Sequence, residues 1–323
     1  FPPLKMKHNS VFVCFIAVLG CVLVAHATVH EINTAAQLID LFEQGSRYVD
    51  AEIELRADID FSETSLTVPL GTLSNGAGKT FTGVFHGNGH SIKGLVMDNT
   101  NNQDYPDAGL FYEVKDAVIE NLVIDESCYF TGSYAGSLSQ SASGSVVMRN
   151  VTNKANVYGF KSVGGFFGQA SGLDSITFDE CINFGTTTAG LMIFGGFIGS
   201  ISSCTNTVVK ITNSANNGSV FGSARARGGF IGEMMRNTNL SIMISNSTNN
   251  GIITGSSFIG GFIGCLYGNT NVMIELSKVT NNGYVNGSIF DVGGFVGIVE
   301  SNNNVTMTIS NYINSGNVTA DRS

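Results

Sequence analysis

Two unrelated markers return along the second half of this chain with one period, and few folds can accommodate that. The tripeptide Gly-Gly-Phe occurs at 164–166, 195–197, 228–230, 260–262 and 293–295, at intervals of 31, 33, 32 and 33 residues. An asparagine keeps step at Asn153, Asn183, Asn216, Asn249, Asn281 and Asn314, spaced by 30, 33, 33, 32 and 33. Self-similarity of this kind marks an architecture in which each unit is one supersecondary element stacked on its neighbours.

Alignment on the asparagine exposes a strand in every copy. Seven and five residues before it stand Val146/Met148, Ile176/Phe178, Val209/Ile211, Ile242/Ile244, Ile274/Leu276 and Met307/Ile309. The residue between each pair varies freely: Val147, Thr177, Lys210, Met243, Glu275 and Thr308. Alternation with period two and one apolar face is the signature of a strand. A second short strand follows, and a third carries Gly-Gly-Phe. Three strands in 30–33 residues cannot enclose a core, so each copy must stack on the next.

The expected fold is therefore all-β: a right-handed parallel β-helix of about nine coils, with three short strands per coil, a period of 28–33 and an N-terminal capping helix. Its rise would be the strand spacing of about 4.8 Å per coil. The six asparagines would form a ladder of side-chain hydrogen bonds, and Phe166, Phe197, Phe230, Phe262 and Phe295 an internal stack. The helix is expected in "TAAQLIDLFEQG" (34–45), where Leu38, Leu41 and Phe42 share a face that would cover the first coil. The chain divides into 1–27 (upstream residues and signal peptide), 28–62 (cap helix and first strand), 63–145 (irregular coils) and 146–323 (regular repeats). "NYINSGNVTADRS" stops where another Gly-Gly-Phe strand is due, so the natural protein is expected to continue past Ser323.

Composition excludes several alternatives. Charged residues are 13% and hydrophobic residues 43%, which is the reverse of a disordered chain. The net charge of −9, with no basic stripe, argues against nucleic acid. Lys5 and Lys7, the apolar run 11–25 and Ala25-His26-Ala27 have the layout of a secretory signal cleaved after Ala27, which points to a secreted or cell-surface protein. The run is too short for a spanning helix, so no membrane span is expected in the mature chain. Cys128, Cys181, Cys204 and Cys265 then remain, either paired in an oxidising compartment or buried as free thiols.

The order of a helix, "ELRADIDF", "FTGVFHGNGHSIKGL", "AGLFYEV", "AVIENLVI" and then "VGGFFG"-type repeats resembles the GLUG-motif β-helix proteins over roughly residues 30–320. Phe stands here where Leu is usual in that motif. The resemblance implies a secreted or surface protein, often adhesin-like, with host or environmental glycans or surface proteins as partners.

Chemistry-bearing patterns are sparse. Glycoside hydrolysis needs two carboxylates across a bond, and among Asp174, Asp179, Glu180, Glu233, Glu275, Asp291, Glu300 and Asp321 no outward column carries acids on successive coils. His86 and His90 have a spacing that suits a metal on a helix, but their two glycines and flanking strand pattern indicate a turn. No catalytic residue, metal ligand or cofactor site is expected. Arg225, Arg227 and Arg236 are candidates for meeting an acidic glycan, against a reading as solvated turn residues. Glycosylation sequons begin at Asn150, Asn217, Asn239, Asn246, Asn286, Asn304 and Asn317. The expected role is an adhesin-like binding or structural stalk; the alternatives are a carbohydrate-active enzyme on the same fold, or a spacer for another domain.

Overall fold

The computed structural model describes residues 29–44, 48–73, 78–99, 107–190, 192–222 and 225–320. The expected signal sequence and its cleavage after Ala27 fall outside them. The chain winds as a parallel β-solenoid of about eight turns. In the coil 205–235, side one is Thr205–Thr212, continued past a corner by Ala215–Asn216. Side two is Val220–Gly222 with Ala226–Gly228, and side three is Ile231–Met235. Side one pairs parallel and in register with Thr238–Ser245, which continues onto Thr270–Ser277 and Asn303–Ser310. Sides one and three belong to a 24-stranded sheet and side two to a 10-stranded one.

Two sequence expectations need correction. The coil count is about eight and not nine. Val29–Ile32 pairs with Glu52–Leu55, but the two are joined through the helix and not through a three-sided coil, so they form part of the cap. Gly-Gly-Phe is also not carried whole within a strand: only its first glycine lies in one, as the last residue. It turns the corner between sides two and three, as where Ala226–Gly228 ends and Ile231–Met235 begins around Gly229 and Phe230. A Cβ on Gly229 would fall well inside contact of the Gly261 carbonyl oxygen and the Asn249 side chain. The glycine is there so that successive corners can nest.

The helix α1 (Ala35–Glu43) covers the first coil as its apolar face requires. Thr34 and Gln37 form a capping box at its start. Ala35, Leu38 and Phe42 are buried, while Leu41 packs only partly against the core. Lys79, itself buried, donates its Nζ to the carbonyls of Phe42 (2.7 Å), Glu43 (2.9 Å) and Gln44 (2.7 Å). A cation on the final carbonyls satisfies acceptors that a helix end leaves free.

Alternation on each side sends one row of residues inward. The five phenylalanines form the expected stack, with ring centroids 5.0 Å apart for Phe166–Phe197, 4.6 Å for Phe197–Phe230, 4.9 Å for Phe230–Phe262 and 5.6 Å for Phe262–Phe295. Such pairs add about 0.5–1.5 kcal/mol each beyond the area they bury. The asparagine ladder is continuous too. Nδ2 of Asn153, Asn183, Asn216, Asn249 and Asn281 donates to Oδ1 of the next asparagine at 2.7–2.9 Å, ending on Asn314. The same Nδ2 donates to the carbonyl two residues on, as Asn216 does to Gly218 at 2.9 Å, which fixes the orientation of the amide.

Asparagine serves a second purpose at the other corners. Asn213, Asn246 and Asn311 occupy the left-handed region, at φ 53, 48 and 51°, as do Asn206, Asn239, Asn271 and Asn304 at 54–58°. Among residues with a Cβ, asparagine is one of the few that adopts this conformation readily. Much of the asparagine content thus follows from left-handed corners that recur from coil to coil, with Glu180 and Lys278 taking the place on two of them.

Candidate functional site

Where side two meets side three the surface turns inward, and residues that point away from the core are still sheltered from water. One outward row on side three runs Glu113, Ser141, Gln169, Ser200, Glu233, Cys265 and Ile298, each in register with the next. The facing end of side two contributes Lys161, Ser162, Met192 and Ile193. Together these rows bound a recess of about 190 Å³, lined by Tyr134, Lys161, Ser162, Gln169, Ser200 and Glu233, with Met192 and Met235 among its walls. From Gln169 to Glu233 is two rungs, or about 10 Å along the axis.

Glu233 dominates this recess. Its side chain is 3% exposed, and its Oε1 takes no hydrogen bond while lying 3.5 Å from Arg225 Nη2. The Cys265 thiol, one rung on, hydrogen-bonds to the same carboxylate. Burial pushes the Glu233 carboxyl above its ordinary range, and the charges of Arg225 and Arg236 together with the thiol oppose that rise. Arg225 is held in turn between two rings, 5.5 Å from Phe258 and 5.4 Å from Tyr267. At the other end Lys161 Nζ lies 5.3 Å over Tyr134. Between them Ser162 Oγ donates to Gly168 O (2.6 Å) and meets Ser200 Oγ at 3.0 Å. The recess therefore offers one cation, one acceptor with unused capacity and a floor of hydroxyls.

The three arginines separate in this setting. Arg236 is exposed at a left-handed corner, φ 56°, as a turn residue should be. Arg225 is half-exposed and contacts Glu233. Arg227 overturns the solvated-turn reading: it is fully buried in the inward row Val163, Phe194, Arg227, Ile259 and Val292. Its guanidinium lies 5.4 Å over the Phe194 ring, and burial lowers its pKa to about 10. Gly255 makes room for it, since a Cβ there would collide with Nη1.

Other candidates take simpler places. His86 ends the strand Val84–His86, with Nδ1 2.8 Å from Glu120 Oε1 and Nε2 3.5 Å from Glu52 Oε1, whereas His90 follows the turn and lies 3.6 Å from Asp58. Among the described residues no group of three or more His, Cys, Asp or Glu is placed to hold a metal ion. Cys128, Cys181, Cys204 and Cys265 are free and buried, which decides between the two readings left open above. Burial raises their thiols, to about 11 for Cys128 and about 12 for Cys181 and Cys265.

The sequon asparagines mostly belong to surface ladders. Nδ2 of Asn150, Asn239, Asn246 and Asn304 donates to Asn121, Asn206, Asn213 and Asn271, at 2.9, 2.8, 3.4 and 2.9 Å. Asn217 and Asn286 accept, from Asn250 Nδ2 and Thr319 Oγ1, both at 2.7 Å. Asn317 is exposed in the last coil. Sequence reasoning passed over a second buried ladder, in which Asn237 Nδ2 donates to Asn269 Oδ1 (3.0 Å) and Asn269 Nδ2 to Asn302 Oδ1 (2.8 Å). Their spacing of 32 and 33 residues was its signal.

Among the described residues no helix is long and apolar enough to cross a membrane. No family model matches the chain, and no curated protein matches it. Two solved structures share the fold. One is a "putative immunoglobulin A1 protease" from Bacteroides ovatus, at TM-score 0.58 and 15% identity, covering 90% of this chain and 86% of that one. The other is described as an IgA1 protease, at TM-score 0.51 and 17% identity, covering 88% of this chain and 21% of that one.

Proposed function

We propose that this chain is a secreted or cell-surface, adhesin-like β-solenoid of GLUG-motif type that binds glycans in the recess between sides two and three. The observation that carries the reading is the Glu233 carboxylate, buried at the recess with an oxygen that accepts no hydrogen bond. That oxygen is ion-paired with Arg225 at 3.5 Å yet accepts no hydrogen bond, so it keeps acceptor capacity that a ligand hydroxyl would use. Ser162 and Ser200 supply further hydroxyl contacts, and Lys161 at the far end suits a carboxylate or sulfate substituent on a sugar. The solenoid holds these groups on rigid strands, and the signal-like segment 11–27 supports placement outside the cell.

Screening of the purified chain against an immobilised panel of acidic and neutral oligosaccharides tests this. The wild type should capture a subset containing a uronate or sulfate, and Ser200→Leu, which fills the recess, should abolish that capture. Equal capture by Ser200→Leu, or none by either protein, would remove the proposal.

A catalytic reading on the same fold draws on the same carboxyl. Burial raises the Glu233 pKa, which is the tuning that a general acid requires. Its neighbours in the row are Ser200 and Cys265, so the paired carboxylates of a glycosidase are not supplied there. Release of reducing ends or unsaturated products from a bound polysaccharide, lost in Glu233→Gln, would favour the enzyme. For proteolysis, the activity named for the two structural neighbours, the four described thiols lie buried with raised pKa values, opposite to what a cysteine nucleophile needs.

A further inference from the structure

A second surface of the solenoid has different chemistry. Along side two the outward row reads Tyr158, Thr188, Phe221, Thr254, Asn286 and Thr319, each in register with the next, while Thr131, which precedes Tyr158 in register, is buried. Alternation forces these residues outward, because Val157, Thr187 and Val220 beside them fill the core. Within the row, Thr188 is a small residue between two aromatic ones, so the surface dips. The result is a cleft of about 350 Å³ walled by Tyr158 and Phe221, with Tyr129, Asn156, Val157, Thr186 and Thr188 completing its lining. Tyr129 is paired in register with Asn156, and Asn156 Oδ1 accepts from the Thr186 backbone N–H at 2.9 Å.

Three properties narrow what this cleft accepts. Its lining carries no carboxylate, ammonium or guanidinium, so a charged ligand would find no counter-charge there. Two rings exposed to a similar degree, Tyr129 at 39% and Phe221 at 38%, offer apolar area, and the threonine and asparagine floor offers hydroxyl and amide partners. Tyr158 is held in place by Phe160, whose ring meets it edge-on with centroids 5.6 Å apart, so the platform exists before anything binds. Tyr158 and Phe221 are two rungs apart, about 10 Å along the axis. That separation suits rings spaced along an extended sugar chain.

We infer that this cleft is a binding site for a neutral, extended oligosaccharide lying along the solenoid axis. The C–H faces of its sugar rings rest on Tyr158 and Phe221, and its rim hydroxyls meet Thr186, Thr188 and Asn156. The site is independent of the Glu233 recess, which opens where side two meets side three.

Titration with xylohexaose and cellohexaose tests the assignment by calorimetry and by tyrosine emission. The chain contains 9 Tyr and no Trp, so no brighter indole masks the tyrosines. At least one of the two hexasaccharides should bind and alter the emission. Tyr158→Ala and Phe221→Ala should each weaken that binding by about tenfold or more, and Thr188→Tyr, which fills the dip, should abolish it. Far-UV circular dichroism should stay unchanged in all three, because the substitutions point outward. Ser200→Leu should leave this binding intact, which keeps failure here distinct from failure of the recess. The inference is overturned if neither hexasaccharide binds at millimolar concentration, or if Tyr158→Ala and Phe221→Ala bind as the wild type does. It is equally overturned if sedimentation shows that Phe221→Ala dissociates a dimer, since the face would then belong to a second copy.

Discussion

Replacement of one ladder asparagine separates structural hydrogen bonding from compositional accident. Asn216 is fully buried; its Nδ2 donates to Gly218 O (2.9 Å) and Asn249 Oδ1 (2.9 Å), and its Oδ1 accepts from Asn183 Nδ2 (2.9 Å). Asn216→Ala removes all three bonds. Asn183 Nδ2 keeps its second acceptor, Gly185 O at 2.9 Å, so its loss is partial. Asn249 Oδ1 and Gly218 O each lose a donor inside the protein. At about 1 kcal/mol per net hydrogen bond, with a further penalty for acceptors stranded without water, the expected cost is about 3–5 kcal/mol. Asn314 supplies an internal control: it is exposed, accepts one bond from Asn281 (2.7 Å) and donates a long one to Gly316 O (3.4 Å). Water replaces those partners, so Asn314→Ala should cost about 1 kcal/mol or less. Urea unfolding followed by circular dichroism measures both, with equal m-values as the check that stacked coils still unfold together. Costs equal to within about 0.5 kcal/mol would refute the reasoning, because burial would then not matter.

Other expectations concern thiols, titration and corners. Iodoacetamide at pH 8 should leave Cys128, Cys181, Cys204 and Cys265 unlabelled in the native chain and label all four in urea without reductant; a requirement for reductant would reveal a disulfide. Glu233 has a folded-state pKa above its ordinary 4.5, so the native state holds its proton more tightly than the unfolded chain. Stability should therefore fall as pH rises from about 4.5 through the raised value, and Glu233→Gln should remove that fall. Parallel stability–pH curves for the two proteins would contradict the assignment. Gly229→Ala places a methyl group against the Gly261 carbonyl and the Asn249 amide, and should destabilise by about 3 kcal/mol or more, read as a drop in urea midpoint.

The inward rows were legible because they repeat. Asn216 and Phe230 have counterparts at fixed spacing, and a row buried on every coil leaves the same residue type each time. The concave corner left no such mark. Glu233 shares its row with Gln169, Ser200 and Cys265, which have no common chemistry, so the repeat alignment gave it only as one more outward acid. The recess it sits in is closed from another side of the coil, by Met192 and Ile193, and Arg225 from that same side meets its carboxylate, a relation that depends on the corner angle and not on spacing. Arg227 failed for a related reason. It stands where its coil neighbours have Phe194 and Ile259, and the missing Cβ at Gly255 makes room for its length. A local exception of that kind has no period to betray it.

The buried ladders also have a direction. From Asn153 to Asn314, and again from Asn237 to Asn302, each amide donates forward to the next coil and accepts from the one behind. Amides aligned head to tail add their dipoles, and inside the protein they do so with little screening and polarise one another. Both buried rows point the same way, with the positive end of each at its later coils, whereas the surface ladders donate backward, as Asn239 does to Asn206 and Asn304 to Asn271, so the rod carries opposed dipoles inside and out. A long partner laid along such a rod meets the outer rows, whose heading is the reverse of the one in the core.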